Sequence, residues 1–284
     1  MRNGAFVLGA VAYDPKVVTI WDGFQVWFER QGFPFDYVLF TNYERQVEAH
    51  FSGILDAAWN SPLAWLQAEG LAARRGVRAE AIAMRDSDCD LSSVLIVRAD
   101  SQIQLLHDLK GRVVGVGAGD SPQATLIPLE HFASRGLVPD RDFRVRRFDQ
   151  LAGKHGDHVG GEFEAALALA RGEVDAACLL DANYLALGRD SRFAPGAFRV
   201  LDRTGLFDHC NFTVLSHADA SKVASFRELL FSMKYEDPAV RALMDLEGLK
   251  AWRPGRTSGY RLLATACERF DTLRSFLDRA GEKK

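Results

Sequence analysis

Three observations predict an α/β protein built as two lobes of similar design. Strand-like and helix-like segments alternate along the chain. A helix-Gly-x-x-Asp-strand unit occurs twice: Ser52-Gly53-Ile54-Leu55-Asp56-Ala57-Ala58-Trp59 parallels Arg171-Gly172-Glu173-Val174-Asp175-Ala176-Ala177-Cys178. The length of 284 residues, 48% of them hydrophobic, is enough for two modest cores. The repeat alone does not compel two lobes, because one helix-Gly-strand junction resembles another.

Residues 5–12 read as the first strand, and Ile20, Phe24, Trp27 and Phe28 recur at helical spacing after it. Residues 35–40 form the next strand. Thr41-Asn42-Tyr43-Glu44 fits a capping box with Thr41 as N-cap and Glu44 at the third helical position. That helix runs to Gly53, residues 56–59 are a short buried strand, and Ser61-Pro62 opens another helix. The βαβα order predicts a largely parallel sheet. A second round begins with strands at 91–98 and 113–117, a helix opened by Ser121-Pro122, and a strand at 143–148. A helix over 162–171, a strand at 176–180 and a strand at 211–216 follow, and residues from Ser221 onward read as mostly helical.

The charge of −3 argues against a dedicated nucleic-acid binder. Arg141, Arg144, Arg146 and Arg147 crowd one strand without interleaved aromatics, which reads as a solvated edge. Cys89, Cys178, Cys210 and Cys267 are widely spaced and suit reduced thiols. The eight-residue apolar run at 5–12 is too short for a signal core or a membrane span. The expected address is therefore cytoplasmic, or periplasmic only if a leader has been removed. There is no P-loop, no nucleotide-binding GxGxxG and no GxSxG elbow.

Three stretches carry a resemblance: 56–65 (DAAWNSPLAW), 93–117 (SVLIVRADSQIQLLHDLKGRVVGVG) and 165–184. They resemble the phosphate, phosphonate and phosphite substrate-binding proteins of ABC transporters, over residues 6–215. The resemblance implies the type 2 periplasmic-binding-protein fold, with a ligand cleft between lobes. It further implies a discontinuous first lobe, residues 1–98 plus 206–284, and a second lobe at 99–205. In the family a Ser/Thr-rich turn ending in Ser-Gly caps the second-lobe helix. Here Ser121 stays, Gln123-Ala124 replaces Ser-Gly, and Asp120 adds a negative charge. A phosphonate dianion would lose a hydroxyl donor and meet an acid.

The helix starts at Ser61 and Ser121 are the main ligand candidates, since a first helical turn offers unpaired N–H groups and partial positive charge. A plain N-cap role stands beside that reading. Asn60, Gln123 and Thr125 can add neutral hydrogen bonds, and Tyr13 and Tyr43 are either aromatic walls or packing residues. Lys154-His155-Gly156-Asp157-His158 is the densest polar run. A His-x-x-His pair with Asp157 between could bind a metal, with Glu162 near enough to help, and a plain exposed or capping turn is a further alternative. A distinctive zinc motif is lacking, so no metal and no cofactor are assigned, and the histidines are expected to donate to a ligand. The family places a loop, often with a His, beside its cleft at this position. Asp181 matches a family acid that meets ligand donors, and an N-cap role is its alternative. The reading is a binder of a small polar anion, acting as receptor, sensor or carrier. The alternative is a cytoplasmic lyase or decarboxylase of a small carboxylate, using His155, His158 or Asp181 as acid or base. The sequence leaves the oligomeric state open.

Overall fold

The computed structural model describes residues 4–156 and 161–281. His158 lies outside the described residues. The strands are β1 (Phe6–Val11), β2 (Phe35–Phe40), β3 (Ala57–Asn60), β4 (Ala79–Arg85), β5 (Ser93–Arg98), β6 (Val113–Val116), β7 (Arg144–Arg147), β8 (Ala176–Leu180), β9 (Phe198–Arg203), β10 (Asn211–Leu215) and β11 (Trp252–Pro254). The α-helices are α1 (Lys16–Arg30), α2 (Tyr43–Phe51), α3 (Pro62–Arg75), α4 (Ile127–Ala133), α5 (Glu162–Ala170), α6 (Asp181–Leu187), α7 (Ala220–Ser232), α8 (Pro238–Glu247), α9 (Arg261–Phe270) and α10 (Arg274–Gly281). Among the described residues no helix is long and apolar enough to cross a membrane.

The chain divides into two compact units. The first comprises Met1–Cys89, Asp208–Tyr260 and Leu273–Lys284, and the second comprises Asp90–Phe207 and Arg261–Thr272. Most of the C-terminal region thus returns to the first unit. Helix α9 belongs to the second, where Arg269 pairs with Glu130.

In the first unit the strand order is β2-β1-β3-β10-β4-β11. Strands β1, β2 and β3 are mutually parallel, whereas β10 runs antiparallel to both β3 and β4. Alternation decides the faces of β1. Phe6, Leu8 and Ala10 join the aromatic-rich core around Trp21, Phe24, Phe28 and Phe226, and Val11 faces a second cluster with Tyr43 and Val47. In the second unit the order is β7-β6-β8-β5-β9, with β5 antiparallel to β8 and β9. Both faces of β5 are buried: Val94 and Ile96 point to one core, Leu95 and Val97 to the other.

The repeated Gly-x-x-Asp unit has one structural meaning in both places. Asp56 accepts the Val7 N–H at 2.8 Å, and Asp175 accepts the Val113 N–H at 2.8 Å. Each aspartate satisfies an N–H at the start of the strand beside its own, that of Val7, the second residue of β1, and that of Val113, the first of β6. The registers match too, with Gly9 opposite Ala58 and Gly115 opposite Ala177.

Several expectations are corrected. Both sheets are mixed rather than largely parallel, because the strand crossing in from the other part of the chain inserts antiparallel. Asn42, not Thr41, caps α2, its side chain accepting from the Arg45 N–H at 2.9 Å. Strands β4 and β9 lie in segments to which the sequence assigns no element, and β11 interrupts the C-terminal region expected to be mostly helical. Leu91 is an isolated bridge to Phe207 rather than the start of β5. The arginines of β7 do sit on an edge strand, paired outward as Arg146–Glu173 and Arg147–Asp140.

Candidate functional site

In the second unit β6 ends in Gly117-Ala118-Gly119, and the chain enters a π-helical turn, Pro122–Leu126, before α4. Pro122 suits the first position because it has no N–H to leave unpaired. Ser121 caps the turn, accepting from the Ala124 N–H at 3.2 Å, and is fully buried. Gly156 packs on it: a Cβ there would lie 2.6 Å from the Ser121 Cβ, and its φ of +61° is itself a glycine conformation.

Asp120, an unwelcome acid for a dianionic ligand, has a local role. Its Oδ2 accepts from the Gly153 N–H at 2.7 Å and the His155 N–H at 3.2 Å, tying the 151–156 loop to the turn. His155 is buried, with φ of +54°. Among the described residues this tie leaves one Asp120 oxygen, Oδ1, buried without a hydrogen-bond partner.

Glu162 is the hub of the region and was only a bystander in the sequence reading. It is 1% exposed and accepts from the Leu180 N–H at 2.7 Å, Asn183 Nδ2 at 2.9 Å and Gln123 Nε2 at 3.2 Å. Burial pushes its pKa up to about 7, against the downward pull of those three donors. It thereby links the Ser121 turn to the start of α6. Its sequence signal was faint, an acid in the first turn after Gly161.

Gln123 is fully used on one side only. Its Nε2 also donates to the Gly156 carbonyl at 3.3 Å, and its backbone carbonyl accepts from Ser93 Oγ at 2.5 Å. The amide orientation is fixed, because a flip would set its oxygen against that carbonyl and the Glu162 carboxylate. Gln123 Oε1 and Thr125 Oγ1 are then buried without hydrogen-bond partners among the described residues. Asp181 sits at the start of α6, where Oδ2 accepts from Ser92 Oγ at 2.7 Å and Arg203 at 3.1 Å.

In the first unit Ser61 caps α3, accepting from the Ala64 N–H at 3.2 Å, and is buried. Asn60 belongs to a buried relay. Gln46 Nε2 donates to Asn60 Oδ1, Asn60 Nδ2 to Thr213 Oγ1, Thr213 to Asn211 Oδ1, and Asn211 Nδ2 to Tyr260, each between 2.7 and 2.8 Å. Tyr43 is buried with Val47, Ala64 and Phe276, whereas Tyr13 packs partly on the large core with Lys16 over its ring. The first unit thus contains Tyr13, Tyr43, Asn60 and Ser61. The second contains Ser121, Gln123, Thr125, His155 and Asp181.

A family profile described as "ABC transporter, phosphonate, periplasmic substrate-binding protein" matches residues 10–260. Solved structures share the fold. PhnD1 of Prochlorococcus marinus in complex with methylphosphonate aligns with a TM-score of 0.67 at 16% identity, covering 94% of this chain and 98% of its own. XAC2383 of Xanthomonas citri bound to ATP gives 0.67 at 18% identity, covering 98% of each chain. The periplasmic aliphatic sulphonate binding protein SsuA of Escherichia coli gives 0.57 at 18% identity, covering 95% of this chain and 88% of its own. No curated protein sequence matches. The profile spans most of the chain and its strand-Gly-Asp units, so the chain belongs to the phosphonate-type periplasmic substrate-binding protein family of ABC transporters.

Proposed function

We propose that the chain binds a small polar anion, without chemistry, and that the Ser121 turn is part of its ligand site. One observation carries the reading: Gln123 Oε1 and Thr125 Oγ1 are buried on that turn without hydrogen-bond partners among the described residues. Leaving such atoms unsatisfied costs about 1–3 kcal/mol each, so a ligand that pairs with them binds the better for it. Thr125 can donate to an anionic oxygen. Gln123 Oε1 asks for a donor, which favours an anion that also carries a hydroxyl or amino group. Family membership supports the same class, since the similar structures are bound to methylphosphonate, bound to ATP or described as sulphonate-binding, all of them anions. Asp120, engaged by the 153–155 backbone, counts against a second full negative charge on the ligand. His155, and Asp181 with its Arg203 partner, are further proposed contacts in the same unit. The four free thiols fit a reducing, cytoplasmic compartment, which fractionation of the native host would test.

The test is calorimetric titration with phosphonates, sulphonates and hydroxylated or amino-bearing carboxylates. Thr125→Val removes a hydroxyl that bonds to none of the described residues, so the fold is expected to stay intact. We expect its affinity for the best anion to fall about tenfold or more, the worth of one hydrogen bond to a charged group. Unchanged affinity would remove the Ser121 turn from the site.

A further inference from the structure

Unit one contains a buried polar cluster unrelated to the anion reading. Arg85, at the end of β4, is 6% exposed and grips Asp88 with two bonds, Nε to Oδ2 at 2.6 Å and Nη2 to Oδ1 at 2.9 Å. Its Nη1 reaches the Glu247 carboxylate at 3.2 Å, and its guanidinium lies over the Trp59 ring. On the other side of Asp88, His209 Nδ1 is 3.7 Å from Asp88 Oδ1 and 3.1 Å from Cys210 Sγ. Asp88, His209 and Cys210 are each 1% exposed or less, and their donor atoms all lie within 4.8 Å of one another.

We propose that Asp88, His209 and Cys210 form a binding site for a zinc-class divalent metal ion, with carboxylate, imidazole and thiolate as ligands. A tetrahedral ion with bonds of about 2.0–2.3 Å requires ligand atoms roughly 3.3–3.6 Å apart, and the two spacings from His209 Nδ1, 3.7 Å to Asp88 and 3.1 Å to Cys210, lie within tenths of an ångström of that range. The mixed N, O and S set favours zinc or cobalt over magnesium or calcium, which take oxygen ligands. Each carboxylate oxygen has two lone pairs, so Asp88 Oδ1 can hold Arg85 and still offer a second pair to a metal.

The ion would cross-link two stretches far apart in sequence. Asp88 precedes the point at which the chain leaves the first unit, His209 and Cys210 follow its return, and the His209 N–H already donates to the Asp88 carbonyl at 2.8 Å.

The experiment is to produce the full chain in cobalt-supplemented, zinc-depleted medium and measure bound metal and absorption. We expect about one cobalt per chain, with a thiolate-to-cobalt charge-transfer band in the near ultraviolet. Cys210→Ser, with wild-type far-ultraviolet circular dichroism, should lose that band. If this variant does not fold, X-ray absorption of the wild-type metal edge replaces it, and one sulfur near ~2.3 Å is expected. A folded wild type that retains no metal overturns the proposal. So does a charge-transfer band that survives in Cys210→Ser, or a metal edge without sulfur.

Discussion

Three hydrogen-bond donors around a carboxylate usually make it more acidic, yet Glu162 moves the other way because it is wholly buried. Its native state holds the proton more tightly than the unfolded chain does. Stability should therefore be fullest below pH 4.5, decline as pH rises toward about 7, and level off above that. The size is roughly 3 kcal/mol for a shift of this order. Glu162→Gln removes the group, so the variant should gain on the wild type by on the order of 2–3 kcal/mol between pH 5 and pH 8. Urea unfolding at the two pH values measures it, and parallel curves for the two proteins would contradict it. Arg85 carries a different risk. Arg85→Ala would leave Asp88 and Glu247 buried without their shared cation, and a loss of about 3–5 kcal/mol is expected in the same assay.

At the scale of elements, the paired aspartates explain why the same short unit appears twice. A strand entering a parallel pair has an N–H near its start that lies ahead of the neighbouring strand's ladder, and Asp56 and Asp175 each accept one, from Val7 and Val113. Asp56→Ala and Asp175→Ala should each cost about 1–3 kcal/mol, by the same mechanism in different units. Guanidinium unfolding of both variants tests the equivalence, and a loss in only one of them would show that the repeat is not functional in both sheets. The start of α5 has a steric rather than a polar requirement. Gly161 has a φ of +78°, and an added Cβ there would collide with the Phe148 carbonyl. Gly161→Ala should therefore destabilise the chain and displace Glu162 from its donors.

For the whole molecule, the two units repeat one plan. Each has a parallel trio at one edge of its sheet, β2-β1-β3 or β7-β6-β8, extended by an antiparallel strand from elsewhere in the chain. A small anion that binds the native state alone must stabilise it through mass action. At a ligand concentration about one hundred times Kd the gain is roughly 2.7 kcal/mol, which for a chain of this size raises Tm by about 5–10 °C. A thermal-shift screen should show this for the anion that calorimetry selects, and Thr125→Val should reduce the shift.

Periodicity and local chemistry were enough to reveal most strands and helices, the Ser61 and Ser121 caps, and the repeated Gly-x-x-Asp unit, because each depends on neighbours a few residues away. The cap of α2 was misread by one position, since Thr41 and Asn42 both offer a suitable oxygen and only the backbone path chooses between them. Strands β4 and β9 stayed hidden because their burial comes from partners remote in sequence: β4 pairs with β10, and β9 with β5. The same holds for the chemistry. Sequence indicated which helix starts could meet an anion. Only tertiary structure turned Asp120 toward the loop backbone, made Glu162 the link between two elements, and set Asp88 beside His209 and Cys210. Local signals are written in spacing, whereas a buried charge is defined by what the folded chain brings against it.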